Sequence, residues 1–363
     1  MTKIFISVGD PSADKHAARL MRKIKDRDPN VEFVGLGGDD MFMEGLQSIV
    51  PISDIAVVGF WEVAKKYSFF KDLINRCAEI LLSGQIDLFL PIDYPGFNLR
   101  LAKKAKEIGI PVVYYIAPQL WAWGSNRTEK LKGNVDKLLV VLPFEENYFN
   151  ASGIDSEFVG HPLLEDDSFN QEVEKDQRLI AFLPGSRLQE IKKHEELFVE
   201  TMRQLVSKRD LKFGIARPSH LNQDFYKRYL TVENTELWDD PRKLMKTASA
   251  GVVKTGTSNL EAALCNMPFS MVYKTSYLTY FLGKNMINLD YISLVNILAD
   301  KEVVPELIQK DASPERISSV IFNILDNPTV SKNMVQDFQS IRKSLGTFNA
   351  SQKASDIIFE HLK

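Results

Sequence analysis

The turn at residues 184–187 combines residue types that can bind a phosphate. The apolar run 180–183 leads into Pro184-Gly185-Ser186-Arg187, and a helix is predicted directly after it. Gly185 lets the backbone turn tightly, Ser186 offers a hydroxyl, and the helix N-terminus carries partial positive charge. The Arg187 guanidinium suits two parallel hydrogen bonds to a phosphate. By itself the motif favours phosphate binding no more than an ordinary strand-to-helix turn with an exposed arginine.

A second loop of similar design occupies residues 254–261, after another apolar strand. Gly256 allows close backbone approach, and Thr257 or Ser258 is predicted to cap the following helix. Glu261 in its first turn can accept hydrogen bonds from ribose hydroxyls. Alternatively, it completes a capping box with Ser258. Two such loops in one half of the chain favour a nucleotide site more than either loop alone.

Asp93 is the main candidate for acid–base chemistry. It follows an apolar strand and is partly shielded by Tyr94 and Phe97, a position that suits a general base. The alternative is that Asp93 caps the helix that starts near Gly96. We favour the catalytic interpretation because of its position at the end of a strand.

The loop after the first strand, residues 9–16, carries further carboxylates. It presents Asp10, Asp14 and His16 at the predicted edge of the same domain. Asp10 is the second catalytic candidate. The equally supported alternative is that Ser12 and Asp14 are merely capping and first-turn acidic residues.

The sequence predicts no metal site. Two aspartates in the Asp26-Arg27-Asp28 segment lie at a helix end, and the histidines lack metal-ligand spacing at positions 16, 161, 194, 220 and 361. Cys77 and Cys265 are far apart in sequence and are predicted to be reduced core thiols. We therefore expect a metal-independent mechanism that needs no cofactor.

Two stretches, residues 56–70 and 276–284, carry more aromatic surface than a surface loop should. The first contains six candidates for acyl-chain or membrane contact: Val57, Val58, Phe60, Trp61, Phe69 and Phe70. Core packing explains most such stretches. The lysines within the first stretch also suit an acyl-chain groove or an interfacial membrane contact.

The elements that position these residues alternate between β-rich and helical segments, which indicates parallel sheets with crossover helices. In the first half, strands are predicted at residues 4–8, 33–36, 86–90, 112–116, 137–142 and 157–159. In the second half they are predicted at 179–183, 213–216, 236–238, 251–253 and 269–272. Each strand of the first half ends near Gly, Pro or Asp, where a doubly wound sheet places its binding loops.

The length of 363 residues suits two domains. A polar stretch without periodicity, residues 160–178, is predicted to be the linker. It separates an N-terminal domain, 1–165, from a C-terminal domain, 178–345, and residues 346–363 are predicted to form a helix that packs back on the first domain. The predicted fold class is α/β, with two Rossmann-like domains that face each other across a cleft.

The bulk composition excludes some classes of function. The 45 Lys and Arg against 48 Asp and Glu give a net charge of −3, which argues against a nucleic-acid-binding protein. No run approaches the roughly 18 apolar residues of a membrane span, and the N-terminus does not resemble a signal peptide. We expect a cytoplasmic protein that can still contact a membrane surface.

Several blocks in order along the chain carry a family resemblance. The most specific are Pro118-Gln-Leu-Trp-Ala-Trp123 and Ile292-Ser-Leu-Val-Asn-Ile-Leu-Ala299. Others lie at residues 9–14, 58–63, 92–100, 142–145, 158–162, 183–187, 256–262 and 304–307. From residue 4 to about residue 345 the chain resembles the lipid-A-disaccharide synthase family, bacterial glycosyltransferases of the GT-B fold.

The resemblance implies a reaction and a role for each candidate. A UDP-linked 2,3-diacylglucosamine gives its sugar to the 6-hydroxyl of 2,3-diacylglucosamine 1-phosphate, with inversion to a β(1→6) linkage and loss of UDP. Asp93 deprotonates the acceptor hydroxyl. The departing diphosphate is stabilised by the two loops, through Gly185, Ser186, Arg187, Gly256 and Thr257. Glu261 holds the ribose, while Asn296 and Glu306 complete the site from its opposite wall.

The resemblance also implies where each substrate binds and where the enzyme works. It makes residues 1–165 the acceptor- and lipid-binding domain and residues 178–345 the UDP-sugar-binding domain. Both substrates carry acyl chains, which the apolar stretch near Phe60 can contact. An interfacial enzyme can take such substrates from the inner membrane without a transmembrane helix. Family members tend to dimerise through the C-terminal region, which implies a homodimer.

The chain departs from the family pattern at two of the blocks. Asp10 and Ala13 stand where the family has Glu and Gly, and Gly96 replaces a second Asp near Asp93. These changes leave acyl-chain and acceptor specificity open. Two other interpretations also remain: another GT-B UDP-N-acetylglucosamine transferase or epimerase, and a non-enzymatic nucleotide-sugar-binding protein.

Overall fold

The computed structural model describes residues 1–55, 67–123, 125–218, 221–275, 289–347 and 349–362. The chain divides into two compact units. The first comprises Met1–Glu165 and Leu345–Lys363, and the second comprises Asp166–Ser344.

The first unit is built on parallel strands. They are β1 (Lys3–Ser7), β2 (Glu32–Leu36), β3 (Leu46–Ser48), β4 (Leu88–Pro91), β5 (Val113–Tyr115), β6 (Lys137–Val140) and β7 (Ser156–Phe158). One sheet has the order β3-β2-β1-β4 and another the order β5-β6-β7. Parallel bridges from Phe89 to Val112 and from Ile92 to Tyr115 connect β4 with β5.

Helices connect these strands. They are α1 (Pro11–Arg27), α2 (Asp39–Met43), α3 (Ile52–Ile55), α4 (Tyr67–Leu82), α5 (Pro95–Glu107), α6 (Leu120–Trp123) and α7 (Pro143–Ala151). The apolar side chains of α4 and α5 pack on β1 and β4, whose Phe5 and Phe89 meet edge to face at 5.6 Å. The last helix of the chain (Ala350–His361) contacts α1 and β5 within this same unit.

The second unit contains one six-stranded parallel sheet. Its strands are β8 (Asp176–Leu183), β9 (Lys212–Ala216), β10 (Thr235–Trp238), β11 (Ala248–Lys254), β12 (Phe269–Tyr273) and β13 (Glu306–Ile308). The order β10-β9-β8-β11-β12-β13 is the doubly wound arrangement, in which the strand order reverses between β8 and β11. The helices are α8 (Leu188–Val206), α9 (Pro241–Thr247), α10 (Thr257–Leu264), α11 (Leu294–Ala299), α12 (Pro314–Asp326) and α13 (Pro328–Ser344), and the last helix of the chain is α14.

The predicted α/β class with parallel sheets is confirmed, because the strands named above pair in parallel in all three sheets. Two short strands, β3 and β13, were not predicted. The predicted linker is wrong at its end, where Asp176 to Arg178 already belong to β8. Within the described ranges, no helix is both long and apolar enough to cross a bilayer.

Candidate active site

Asp93 lies in an unusual backbone segment at the carboxyl end of β4. Asp93 and Tyr94 both have left-handed backbone conformations, with φ of 46° and 54°. Such conformations are unfavourable for residues other than glycine and occur mainly where surrounding contacts impose them. Here the Asp93 carbonyl accepts hydrogen bonds from Asn98 Nδ2 at 2.7 Å and from the Tyr114 hydroxyl at 2.6 Å.

The buried Asn98 side chain holds this segment in place by hydrogen bonds, and the sequence did not identify it as a site residue. Its Oδ1 accepts a hydrogen bond from Ser7 Oγ at 2.8 Å, and its Nδ2 also faces the carbonyls of Ser7 and Ile92 at 3.2 and 3.3 Å. One side chain on α5 therefore ties the ends of β1 and β4 together. The position of Asp93 is fixed by this connection.

Gly9 has a steric reason for lacking a side chain. A Cβ atom at this position would lie 2.2 Å from the ring of Tyr94. Tyr94 in turn stacks on Phe97 with 5.6 Å between ring centroids. The loop that follows β1 therefore packs closely against Tyr94, which lies in the loop that follows β4 beside Asp93.

The Asp93 carboxyl group is half-buried, and its pKa is raised. Burial and then the negative charge of Asp10 raise the pKa of Asp93 to about 6, against a smaller opposing effect of the Tyr94 backbone N–H. The N-cap of α5 is Tyr94, without a side-chain capping bond, so the alternative capping role of Asp93 is wrong. A carboxylate whose pKa lies just below neutral pH suits a general base.

Asp10 is the N-cap of α1. Its Oδ1 accepts hydrogen bonds from the backbone N–H groups of Ser12 at 2.8 Å and Ala13 at 3.0 Å. Capping therefore falls to Asp10, whereas Ser12 was the expected capping residue. The catalytic role of Asp10 stays a prediction, supported by the effect of its charge on Asp93.

Asp14 has a structural role in this unit. It is buried and accepts hydrogen bonds from the N–H groups of Gly38, Asp40 and Met41 at 2.7 to 3.4 Å. Burial raises the pKa of Asp14, although these three hydrogen bonds oppose the rise. Its carboxylate thus holds the start of α2.

Glu145 is a second buried carboxyl group that the sequence did not identify. It accepts hydrogen bonds from Trp121 Nε1 at 2.9 Å and from Leu142 N at 3.0 Å. Burial raises the pKa of Glu145 to about 7, hydrogen bonds oppose the rise, and the charge of Asp93 adds to it. The signal was present, since Trp121 and Glu145 both lie in the blocks that carry the family resemblance.

In the second unit, the turn at residues 184–187 has the predicted form. It joins β8 to α8, and Gly185 has a φ of 122°. Arg187 is the N-cap of α8 and is half-exposed, and its Nη1 donates a hydrogen bond to Glu190 at 3.0 Å. The backbone N–H of Ser186 also points to Glu190, at 3.2 Å.

The second loop follows β11, which is the neighbour of β8 in the sheet. The N-cap of α10 is Gly256, with a φ of 141° and no side-chain capping bond, so the predicted capping by Thr257 or Ser258 is wrong. Glu261 consequently lies in the second turn. Its carboxylate pairs with Arg242 at 3.3 Å, and the same guanidinium stacks over the ring of Phe169 at 4.5 Å.

Asn296 and Glu306 are engaged with the protein itself. The fully buried Asn296 donates hydrogen bonds to Val304 O and Glu306 and accepts them from the N–H groups of Val303 and Val304, all within 2.9 Å. These bonds use the whole hydrogen-bonding capacity of an amide side chain. Glu306 also accepts hydrogen bonds from the backbone N–H groups at 292 and 293, which hold the start of α11.

Of the six candidates for acyl-chain contact, Phe69 and Phe70 lie in α4. Both are half-buried and pack against the core of the first unit, with their rings edge to face at 5.4 Å. Val57, Val58, Phe60 and Trp61 lie outside the described residues, as does the second aromatic stretch, 276–284.

The cysteine prediction is confirmed, since Cys77 and Cys265 are free and buried. Burial raises the pKa of each thiol to about 12. In the part of the chain that the structure describes, no three His, Cys, Asp or Glu side chains come together as a metal site.

The sequence matches a family model described as lipid-A-disaccharide synthetase over residues 4–358. Curated relatives named lipid-A-disaccharide synthase are similar along nearly the whole chain. The protein from Persephonella marina is 36% identical, with 99% of each chain covered. The protein from Geobacter sulfurreducens is 34% identical, with 99% of this chain and 97% of the relative covered.

Solved structures with the same fold are distant in sequence. A UDP-GlcNAc 2-epimerase from Neisseria meningitidis bound to UDP-GlcNAc superposes with a TM-score of 0.66 at 12% identity, covering 99% of this chain and 98% of that one. CalG4, the calicheamicin glycosyltransferase, superposes with a TM-score of 0.63 at 15% identity, covering 100% and 98%. These likenesses confirm the GT-B fold.

Proposed function

The chain belongs to the lipid-A-disaccharide synthetase family and is a disaccharide-forming glycosyltransferase, and we propose that Asp93 is the general base of its reaction. The observation that carries the proposal is the setting of Asp93 at the carboxyl end of β4. Its backbone is held by two hydrogen bonds to the carbonyl, and burial together with Asp10 raises its pKa to about 6. Asp93 is therefore ionised at neutral pH yet basic enough to take a proton.

The chemical step is an inverting displacement. Asp93 takes the proton of the acceptor 6-hydroxyl as that oxygen attacks the anomeric carbon of the donor. The bond between the anomeric carbon and the UDP oxygen breaks, and its electron pair leaves with UDP. The donor in this proposal is UDP-2,3-diacylglucosamine and the acceptor is 2,3-diacylglucosamine 1-phosphate.

The leaving group is stabilised by the two loops of the second unit. The N-terminus of α8 and the Arg187 guanidinium supply positive charge, and the Ser186 hydroxyl can donate a hydrogen bond. Gly256 and Thr257 open the helix after the neighbouring strand. Donors fixed in place before the reaction stabilise the charge that develops on the diphosphate. This arrangement supports a reaction without a metal ion or other cofactor.

Three further residues shape the nucleotide site in this proposal. Glu261 binds the ribose hydroxyls while Arg242 holds its carboxylate. Asn296 and Glu306 act through the backbone, because their hydrogen bonds fix the start of α11 and the approach to β13.

The location of the enzyme follows from its lipid substrates. In this proposal the acyl chains or the membrane surface are contacted by Val57, Val58, Phe60, Trp61, Phe69 and Phe70. The enzyme works at the cytoplasmic face of the inner membrane as a peripheral protein and forms a homodimer. The family's lipid-linked substrates support this part of the proposal.

The test is to incubate both diacyl substrates with the wild type and with Asp93→Asn. The wild type is expected to form the disaccharide phosphate, and the variant is expected to lose about 10²–10⁴-fold in kcat/KM with unchanged UDP affinity. Asp87→Asn, an exposed aspartate just before β4, is the matched control and should retain activity. Absence of product with the wild type would contradict the function, whereas full activity of Asp93→Asn would contradict only the base assignment.

A further inference from the structure

One carboxylate connects the two loops of the nucleotide-binding unit. Glu190 is the third residue of α8. Its Oε2 accepts a hydrogen bond from Ser186 N at 3.2 Å, and its Oε1 accepts one from Arg187 Nη1 at 3.0 Å. Oε1 also accepts a hydrogen bond from Lys254 Nζ at 2.8 Å. Lys254 is the last residue of β11, so Glu190 bridges the loops that follow two adjacent strands.

Lys254 is distinct from the surface lysines of this unit. Only 19% of its side chain is exposed, as is 19% of the side chain of Glu190, whereas Arg187 is 49% exposed. Burial alone would raise the pKa of Glu190, but the hydrogen bond and charge of Lys254, together with Arg187, lower it. Glu190 is thus a shielded carboxylate between two cations.

We propose that Lys254 is a second cation of the diphosphate site, and that Glu190 is a positioning residue that holds Lys254 and Arg187 together for the ligand. The inference rests on the proposed function, because it assigns further residues to that same site. The two cations share one oxygen, Glu190 Oε1, which brings their charged groups close together despite their repulsion. Without the carboxylate, this repulsion would separate them before a ligand binds.

The hydrogen bonds to Glu190 leave the cations able to bind phosphate. Each contact uses one of the three N–H donors of the Lys254 ammonium and one of the five of the Arg187 guanidinium. The remaining donors extend the set of backbone N–H groups at the start of α8. Holding them in advance lowers the cost of ordering two long side chains when the diphosphate binds.

An ordinary helix-start role explains only part of these contacts. An acidic residue in the first turn of a helix is favourable by itself and accounts for the contacts of Glu190 with Ser186 and Arg187. It does not account for Lys254, which comes from a strand 64 residues further along the chain. Gly185 also fits the proposal, since a Cβ there would lie 2.4 Å from Glu190 Oε2.

The test compares the binding of UDP and uridine by titration calorimetry in single and double variants. Lys254→Met is expected to weaken UDP binding by about 10-fold or more, because a hydrogen bond to a charged group is lost. Uridine lacks the diphosphate, so its affinity should not change. Glu190→Gln should weaken UDP binding by about 5-fold in the wild-type background. When Lys254→Met is already present, Glu190→Gln should weaken UDP binding by a smaller factor, because the two residues act together.

Matched controls separate this role from general effects of charge and folding. Glu200→Gln removes a glutamate that pairs with Arg203 on the same helix, and Lys212→Met removes a lysine that pairs with Asp176 at the start of β9. Both should keep wild-type UDP affinity. Lys254→Arg retains the charge and should bind UDP within about 3-fold of the wild type.

Several outcomes would overturn the inference. Unchanged UDP affinity in Lys254→Met would remove Lys254 from the site, and tighter UDP binding in Glu190→Gln would show that the carboxylate repels the ligand. Additive effects in the double variant would show that Glu190 does not act through Lys254. A wild type that binds no UDP would contradict the proposed function as well, whereas wild-type binding with insensitive variants would contradict this inference alone.

Discussion

At the scale of single residues, the environment of Asp93 decides what its carboxyl group can do. Many aspartates lie near strand ends, but this one is half-buried beside a second carboxylate, Asp10. Burial removes water that would stabilise the ionised form, and the neighbouring negative charge disfavours it further. The group thereby becomes a stronger base than an exposed aspartate while still ionising below neutral pH.

This environment predicts a pH dependence of kcat/KM. A general base works only when deprotonated, so kcat/KM should fall as the pH is lowered through about 6, the pKa of Asp93. Asp10→Asn keeps an N-cap residue but removes the like charge. The acidic limb of the kcat/KM profile, where the rate falls with decreasing pH, should therefore move by about half a pH unit to lower pH. Asp240→Asn, the same change at the N-cap of α9, is the control and should leave the limb unmoved. The profiles are measured from initial rates, and an unmoved limb in Asp10→Asn would contradict the coupling.

Glu145 predicts a pH dependence of stability. Its pKa is about 7 in the folded protein, above the ordinary value of 4.5, so the folded state binds the proton more tightly. The free energy of unfolding should therefore fall as the pH rises from about 4.5 to 7 and change no further through this group above 7. Glu145→Gln does not titrate, so its stability relative to the wild type should rise over this interval by up to about 3 kcal/mol.

The measurement for Glu145 is urea unfolding of both proteins at several pH values. Glu146→Gln changes the neighbouring glutamate, a partly exposed residue of the same helix, and should follow the wild type at every pH. A constant difference between Glu145→Gln and the wild type across this interval would show that Glu145 does not titrate there.

At the scale of elements, the binding loops depend on the geometry where a strand passes into a helix. β8 and β11 are neighbours, so the loops after them emerge side by side at one edge of the sheet. Gly185 and Gly256 both adopt positive φ values there, which brings the backbone into a conformation that other residues avoid. The loops are therefore products of the strand order as much as of their own residues.

Gly185→Ala should weaken UDP binding by about 10-fold, because two effects combine. The φ of 122° disfavours any side chain, and the added Cβ would displace Glu190 from the turn. Gly109→Ala is the control, since Gly109 also has a positive φ, of 80°, but its Cβ would meet open space. The control should lower the melting temperature slightly and leave UDP affinity unchanged. Normal UDP affinity in Gly185→Ala would show that the turn tolerates a side chain.

At the scale of the whole molecule, each unit has its own parallel strands and its own core, and the chain enters the first unit twice. Residues 345–363 return to it, where Ala354 and Ile358 of α14 are buried in the unit that contains α1 and β5. The proposed base is in this unit, and the proposed nucleotide-binding residues are all in the other. Damage to one core should therefore affect mainly the functional residues of that unit.

Ile358→Ala tests this separation. A cavity at a buried isoleucine costs about 2–5 kcal/mol, and hydrogen exchange should accelerate in α1 and β5 while UDP affinity persists. Ile341→Ala, at a buried position of α13, is the counterpart and should accelerate exchange in the second unit. Faster exchange in β8 and β11 caused by Ile358→Ala would contradict the separation.

Much of the fold was predictable because its signals are local. Apolar runs bounded by Gly, Pro or Asp placed most strands within a few residues of their positions, and the alternation with helices indicated parallel sheets. The glycine-containing turns after β8 and β11 and the aspartate after β4 were likewise identifiable from the sequence alone. The family resemblance then identified the chemistry that these motifs serve.

The tertiary structure decided which distant residues meet. Asn98 reaches Ser7 across 91 residues because β1 and β4 are paired, and Lys254 reaches Glu190 because β11 lies beside β8. The buried state of Glu145 and the charge of Asp10 near Asp93 likewise depend on loops brought together at one sheet edge. Periodicity in a sequence reports only on neighbours along the chain, whereas pKa values and charge clusters depend on neighbours in space.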